Sequence, residues 1–549
     1  MQTSENDSEN ESENDMDIEQ KNEKGFPFTI PNRPLSLKER AFFGYFLFKA
    51  KREEYEDEYG DDYEDSDSDE YEDGYEDKNK MLNKSKILDQ GGILKAIQDR
   101  LEKQNLNQED KFVEETIKSM MKYPNDEQIQ QNACFDLEKF LRNNRTNQIE
   151  IYELNGLELM VKAMVNFPKN EVIQNEVCAT LWGYAGFNQE MKTKIFKFGG
   201  IELIFKAMKN YPTNSKIQKN VLGALVNLAE DKNSNLRIKK LSGIELTIKT
   251  MNNFPNNRQI QELGVSLLSF LVNELESQNK IRELKGVEVV LKAMNNYPNY
   301  EILHEHALPL LVNTIIIEKN KIAVAKLGSI ETVVQTMNRY PKNAVIQWKA
   351  SWFLGSLSIS DIGITDDIRN SNGIKAIIDA MMNFPKDENI QEIGSRALVT
   401  MCLVITENNK IEIGKQNGIK VLIQLLNNFP NHKKLLSNGC WVLQILSEMN
   451  KKNKNEIREL NGIEPIIEAM KNFSDDIHIQ NKCCCCLSNL SSEEPNQKQI
   501  KKLKGVQLIK KAMDKFPYHP IIQKSGKAAL KKLNSTQNNQ NQKKSSKKK

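Results

Sequence analysis

The chain has 549 residues and a formal net charge of +2, with 28% of its residues charged. That length exceeds the roughly 150 residues usual for one compact core. The polar, acidic N-terminus does not read as a secretion or transit signal, and no run of eighteen apolar residues offers a membrane span. The near-neutral total hides a segregation: residues 1–80 carry a net −16 and the remainder +18, part of it from Lys543, Lys544, Lys547, Lys548 and Lys549. The eight cysteines fall in predicted helices without the spacing of a disulfide framework. The expectation is a reduced, intracellular protein, cytoplasmic with the nucleus as an alternative.

Residues 1–24 are Ser, Glu, Asn and Asp with almost nothing apolar, a composition that predicts disorder. Within 26–50, Ser36 and Glu39 form a capping box ahead of Phe42, Phe43, Tyr45, Phe46 and Phe48, predicting a short helix over 37–50. Such a helix could dock on the rest of its own chain or be presented to a partner. Residues 53–77 hold sixteen acidic side chains and five interleaved tyrosines. Like-charge repulsion keeps such a block extended. It could serve as a solubilising arm, as an internal competitor lying over a basic surface, or as a docking site for a basic protein.

From residue 81 a repeat takes over. An aromatic followed by proline recurs at Tyr123-Pro124, Phe167-Pro168, Tyr211-Pro212, Phe254-Pro255, Tyr297-Pro298, Tyr340-Pro341, Phe384-Pro385, Phe429-Pro430 and Phe516-Pro517, with Phe473-Ser474 filling the one gap. The repeat length is 43 to 45 residues throughout. A period of that size signals stacked helical units. Residues 81–111 read as a degenerate N-terminal capping unit, the repeats run to 533, and 534–549 form a disordered Lys-rich tail.

One unit shows the local logic. After Gly200, Ile201, Ile204, Phe205 and Met208 fall on one helical face. Pro212 has no amide hydrogen and disfavours helix at Tyr211, so that helix stops. Thr213 or Asn214 can cap the next helix, whose apolar face is Ile217, Val221, Leu225 and Leu228. A weaker segment, 236–241, leads to Gly243. A glycine stands twelve residues before the proline column at Gly156, Gly200, Gly243, Gly286, Gly373, Gly418, Gly462 and Gly505, with Ser329 in one unit and Gly328 just before it. Its expected role is to supply the left-handed or tight backbone between two steeply packed helices.

The phrase GIELIFKAMKNYP…IQKNVLGALVNLA resembles armadillo repeats, and its "AM…FP…IQ" wording is most similar to the armadillo domain of leucine-rich repeat kinases. The resemblance covers 81–533. It implies an all-α, right-handed α-solenoid of about ten armadillo-type repeats and a non-catalytic scaffold or adaptor that binds a protein or peptide along its concave groove. The enzymatic parts of those kinases have no counterpart: the chain carries no phosphate-binding loop GxxxxGK[ST], no leucine-rich repeat and no kinase catalytic-loop motif. No cofactor and no metal site is expected, and an enzyme is not.

In armadillo units the third helix lines the groove. Counting from the proline column, position +6 is Gln130, Gln174, Gln218, Gln261, His304, Gln347, Gln391, Leu436, Gln480 and Gln523. This ladder could bond a peptide backbone, but its recurrence suits the scaffold better. Nuclear-import adaptors of the importin-α type are similar in architecture and pair a tryptophan with an asparagine four residues later. Here Trp352 and Trp441 occupy +11, and Asn227, Asn313 and Asn489 occupy +15, never in one unit. These five are the candidate groove residues, although the tryptophans could equally be core. A basic body also argues against a groove for basic peptides. It favours an extended or helical ligand of acidic character, with nucleic acid as the runner-up through phosphate contacts.

Two further clusters are weighed. Cys483, Cys484, Cys485 and Cys486 are consecutive, and Cys134, Cys178, Cys440 and Cys484 share column +10. Consecutive helical residues diverge, so packing is favoured over a zinc site. His304 and His306 sit near Pro309, which should kink its helix or displace its start.

Overall fold

A computed structural model of the chain describes residues 108–143, 151–359, 361–403, 407–448 and 450–546, with side chains as far as 534. The short helix expected over 37–50, the acidic block and most of the capping unit lie outside these residues. Among the described residues every regular element is a helix. The helices form ten units, numbered here by their proline-column residue from unit 1 (Pro124) to unit 10 (Pro517). Unit 3 is representative. Its first helix is Gln189–Lys197, its middle helix Gly200–Asn210 and its third helix Ser215–Leu228. Third helices stack on third helices from Glu127–Asn143 to Pro520–Ser546, so the units build a one-dimensional right-handed solenoid with a continuous apolar core. Leu181, Leu225, Leu268, Leu311 and Leu354 mark that core through units 2 to 6, all fully buried.

The proline loop is built by side chains rather than by helix capping alone. Pro212 cannot donate to the carbonyl of Met208 four residues earlier. Gln218 Nε2 takes the missing role, donating to Met208 O at 2.8 Å and to Tyr211 O at 2.9 Å. The same two-carbonyl bridge is made by Gln130, Gln174, Gln261, Gln347, Gln391, Gln480 and Gln523. The glutamine ladder therefore serves the scaffold, satisfying buried carbonyls that cost roughly 1–3 kcal/mol each when left unpaired. In unit 5 His304 reaches only Tyr297 O, at 3.3 Å, and its other ring nitrogen lies 3.0 Å from Thr336 of the next unit.

The start of each third helix is capped two residues after the proline column. Asn214 Oδ1 accepts from Lys216 N and Ile217 N, and Asp126, Asn170, Asn257, Asn343, Asp387, His432, Asp476 and His519 cap in the same way. Tyr300 fills the place in unit 5 without a side-chain cap. Pro309 neither shortens that unit's third helix nor moves its start. Glu301–Thr314 begins three residues after the proline column, as Ser215–Leu228 does. The expected displacement of its start does not occur.

The glycine column corrects the sequence reading. The left-handed residue is the one before it: Asn155, Gly199, Ser242, Lys285, Gly328, Asn372, Asn417, Asn461 and Lys504 have positive φ. Gly243 itself opens the middle helix. Its hydrogen-only side chain matters for space, because a Cβ there would sit 2.5 Å from Ile238 Cγ2 and 2.7 Å from Ile238 O. The middle helix thus turns directly over the isoleucine that anchors the end of the first helix. Where Ser329 replaces glycine, the first helix stops at Ala325 and Val324 stands in the isoleucine position.

A second difference lies at the C-terminus. The last helix runs Pro520–Ser546, so the backbone stays helical past residue 534, where the sequence reading ends the solenoid and begins a disordered tail.

Two glycine substitutions separate these roles. Gly243→Ala is expected to lower the stability of units 3 and 4 by about 1–3 kcal/mol through overpacking. Gly183→Ala, in the third helix of unit 2 where a Cβ meets nothing within 4 Å, should raise stability by about 0.5–1 kcal/mol. Hydrogen exchange resolved by unit reads both. Equal effects would contradict the steric account.

Candidate interaction groove

Third helices pack their +5, +9, +13 and +16 columns inward; columns +4, +7, +8, +11 and +15 lie on the opposite side, where part of them is covered by neighbouring units. In unit 6 the inward residues Ile346, Ala350, Leu354 and Leu357 are fully buried, whereas Val345, Trp348, Lys349 and Trp352 keep solvent contact. In armadillo solenoids the corresponding third-helix face lines the concave groove.

The five candidate residues divide between scaffold and surface. Asn227 Nδ2 donates to Trp182 O of the preceding unit at 3.2 Å. Asn489 Nδ2 donates to Gln444 O at 3.0 Å and Ser447 Oγ at 3.3 Å, again one unit back. These two amides tie the ends of neighbouring third helices together. Asn313 is half-buried and makes no side-chain hydrogen bond among the described residues. Trp352 is half-buried, and its ring meets Trp348 edge-on at 5.8 Å between centroids. Trp441 is 9% exposed.

Both tryptophans stand beneath a lysine that the sequence reading did not single out. Lys349 Nζ lies 3.5 Å from the Trp348 ring centroid and 5.4 Å from that of Trp352. Lys482 Nζ, from the third helix of unit 9, lies 3.7 Å from the Trp441 ring of unit 8. Each is a cation held over an aromatic face, a contact that strengthens when it is partly desolvated. Burial pulls both amines down to about 8. The detectable signal was the i, i+4 pair Trp348 and Trp352 and the recurrence of lysine at column +8. Trp182 escaped because it sits at column +14. It lies against Gly223 of the next unit, where a Cβ would come within 2.3 Å of the indole.

Charge is graded along this face, from mixed in units 1 to 5 to basic beyond them. Units 1 to 5 present Glu138, Glu176, Glu262 and Glu305 beside Lys139, Lys216 and Lys219. Glu138 pairs with Arg142, and burial together with Glu138 raises the Glu176 carboxyl. Glu262 and Glu305 accept from Tyr300 and Asn343 of the following units. From unit 6 onward the face carries Lys349, Arg396, Lys482, Lys524 and Lys532. Glu392 lies there too, 4.0 Å from Arg396.

The other clusters belong to packing. Cys483, Cys484 and Cys486 are buried. Cys483 Sγ lies 3.5 Å from Cys440 Sγ of unit 8, whereas Cys485 lies 3.1 Å from Ser525 Oγ of unit 10. The run therefore diverges toward different neighbours. Hydrogen bonding to Cys440, then burial, pushes the Cys483 thiol well above its ordinary value. Among the described residues no three His, Cys, Asp or Glu side chains are placed to hold a metal, and no helix is long and apolar enough to cross a membrane. His304 and His306 are both held below the usual imidazole range by burial.

The family model described as the LRRK2 ARM repeat matches residues 152–326 and 361–549. The chain belongs to that family. No curated protein matches its sequence at a significant level. Among solved structures, an engineered protein is similar at 20% identity and TM-score 0.58, covering 78% of this chain and 99% of its own. A second, from a study of a phosphorylation switch controlling the interaction between cadherin and β-catenin, is 14% identical at TM-score 0.58, covering 81% and 96%. These likenesses concern the fold. This LRRK2-type ARM chain is thus an armadillo solenoid, a fold typical of non-catalytic protein-interaction scaffolds.

The lysine over Trp441 has a pH signature. Its amine is neutral above about 8 in the folded chain, against about 10.4 when unfolded. Between those values the unfolded chain holds the extra proton, so this group makes stability rise with pH. Comparing Lys482→Met with the wild type in urea, the difference should move in favour of the wild type from pH 8 to 10.5 and stay level from pH 6 to 7.5. A difference that does not move across the upper window would refute the desolvated-amine account.

Proposed function

We propose that this ARM chain is a non-catalytic scaffold or adaptor that binds a protein segment along the inner, third-helix face of its solenoid. The observation carrying this reading is the presence of two tryptophan–lysine stations on that face, Trp348–Lys349–Trp352 and Trp441–Lys482. Tryptophan and cationic side chains with both apolar body and charge are the residues from which interface anchors are made. A half-buried indole can pack an apolar or aromatic side chain of the ligand. The ammonium beside it can pair with a carboxylate at the cost of little further desolvation. The ligand that suits the stations is therefore an extended or helical segment of acidic character. Trp352 and Trp441 act as anchors, and Asn313 offers an amide on the same face. Asn227 and Asn489 shape the floor. The acidic arm, 1–80, then regulates access to the solenoid, 81–533.

A displayed library of random peptides selected on the full chain provides the test. Enriched peptides should be acidic, and Trp352→Ala or Trp441→Ala should weaken them about tenfold or more, with the helical spectrum unchanged. Leu275→Ala, on a first helix where Leu275 is 63% exposed, should leave affinity intact. Peptides that bind both tryptophan variants undiminished, or homopolymeric RNA that outcompetes them at physiological salt, would overturn the proposal.

A further inference from the structure

The graded face poses a question that the binding reading leaves open: which acidic segment meets it first. The chain carries one itself. Residues 53–77 hold sixteen carboxylates and five tyrosines, Tyr55, Tyr59, Tyr63, Tyr71 and Tyr75. We infer that the occupant of the two tryptophan–lysine stations in the resting chain is this segment, lying across the third helices of units 6 to 9.

Three observations support the assignment. The first is complementarity of chemistry. The stations offer cations held on indole faces, Lys349 with Trp348 and Trp352, and Lys482 with Trp441. The segment offers carboxylates alternating with aromatic rings, so the same few residues can satisfy both halves of each station. Lys482 has no ion-pair partner among the described residues, and burial already depresses its amine. A carboxylate brought to it would restore the charged form.

The second is direction along the solenoid. Units 1 to 5 mix Glu138, Glu176, Glu262 and Glu305 with Lys139, Lys216 and Lys219 and offer no net attraction, whereas Lys349, Arg396, Lys482, Lys524 and Lys532 attract the segment from unit 6 onward. The pairing of Arg396 with Glu392 leaves unit 7 close to neutral.

The third is reach. Thirty residues separate position 77 from Gln108, where the described helices begin. Extended as a tether, rather than folded as the capping unit expected over 81–111, they span up to roughly 100 Å. With third helices about 8–10 Å apart, unit 6 lies roughly 50 Å and unit 9 roughly 80 Å from unit 1. A thirty-residue coil has an end-to-end distance of roughly 30 Å, so the tether must stretch to reach unit 6; it raises the effective concentration only modestly, the contacts at the stations supply the docking, and salt weakens them.

The inference rests on the binding reading above but can fail without it. The test is zero-length carbodiimide cross-linking of the full chain, which joins a carboxylate to an amine as an amide. Peptide mapping of the monomeric product should find Lys349 or Lys482 linked to carboxylates within 53–77, and these links should vanish at about 1 M salt, where screening acts within about 3 Å. Removing 53–77 should strengthen binding of the selected acidic peptides about tenfold or more, while Trp352→Ala still weakens them. Links found only in dimers would overturn the inference, as would links spread evenly to outlying lysines such as Lys240 and Lys285, or no links at all. If deletion leaves peptide affinity unchanged while the tryptophan variants still lose it, the groove stands as a binding site and its resting occupant is not this segment.

Discussion

The carbonyl that proline leaves without a donor is the constraint on which the rest of the solenoid depends. In nine of the ten units proline ends the middle helix because it has no N–H, and the same absence strands a buried acceptor four residues before it; in unit 9 Ser474 takes its place, the helix stops at the same point and Gln480 makes the same bridge. Eight glutamines supply the donor from the helix that follows, fixing the middle and third helices of a unit against each other. The proline carbonyl is then used between units. Where the next unit's aromatic is tyrosine, its hydroxyl donates to that carbonyl: Tyr211 to Pro168, Tyr297 to Pro255 and Tyr340 to Pro298, at 2.9–3.4 Å. Where the aromatic is phenylalanine, the asparagine before it donates instead: Asn166 to Pro124, Asn253 to Pro212, Asn383 to Pro341, Asn428 to Pro385 and Asn472 to Pro430, at 2.8–3.4 Å. The aromatic-proline dipeptide is therefore one half of an intra-unit bond and one half of an inter-unit bond.

This stitching gives the asparagine richness a structural meaning that composition alone did not suggest. Asparagines two residues before the proline column staple units, and those two residues after it cap third helices. A third set closes the far ends: Asn235, Asn320, Asn409 and Asn453 donate to Ala229, Thr314, Met401 and Leu446 carbonyls. A short side chain that both donates and accepts suits positions where two backbone ends meet. The polarity of the sequence is thus spent largely on its own backbone, and the inner face is left to a small number of aromatic and charged side chains.

Period, unit boundaries and the helical faces were legible because each rests on local chemistry: proline stopping a helix, a 3.6-residue apolar stripe, a cap at its start. The glutamine ladder was legible as scaffold for the same reason, since recurrence implies a job that every unit has. The glycine column was misread because a left-handed turn and a missing Cβ leave the same letter in a sequence. Only the distance to Ile238 separates them. The groove was harder still. Trp352 and Trp441 stood out as rare residues, but the lysine above Trp441 comes from the next unit, and packing between units has no signature along one strand of sequence. Asn227 and Asn489 looked like ligand-reading groups until the carbonyls of the preceding unit were seen to take their donors.

The two halves of the inner face then follow from how repeats specialise. Columns that bond within or between units cannot vary without loosening the stack, so Gln at +6 and the cap at +2 recur nearly unbroken. Columns +7, +8, +11 and +15 are not held to one residue type: some members bond to the preceding unit, as Asn220, Asn227 and Asn489 do, and others keep solvent contact. Over ten units that freedom has produced a mixture of glutamates and lysines at one end and lysines stacked on tryptophans at the other. A lysine on an indole is already partly dehydrated, so a carboxylate reaching it displaces less water than one reaching a lysine in free solution, and the attraction acts at lower effective dielectric. The same desolvation that pulls Lys349 and Lys482 down to about 8 therefore makes them the places on this face where a negative charge gains most.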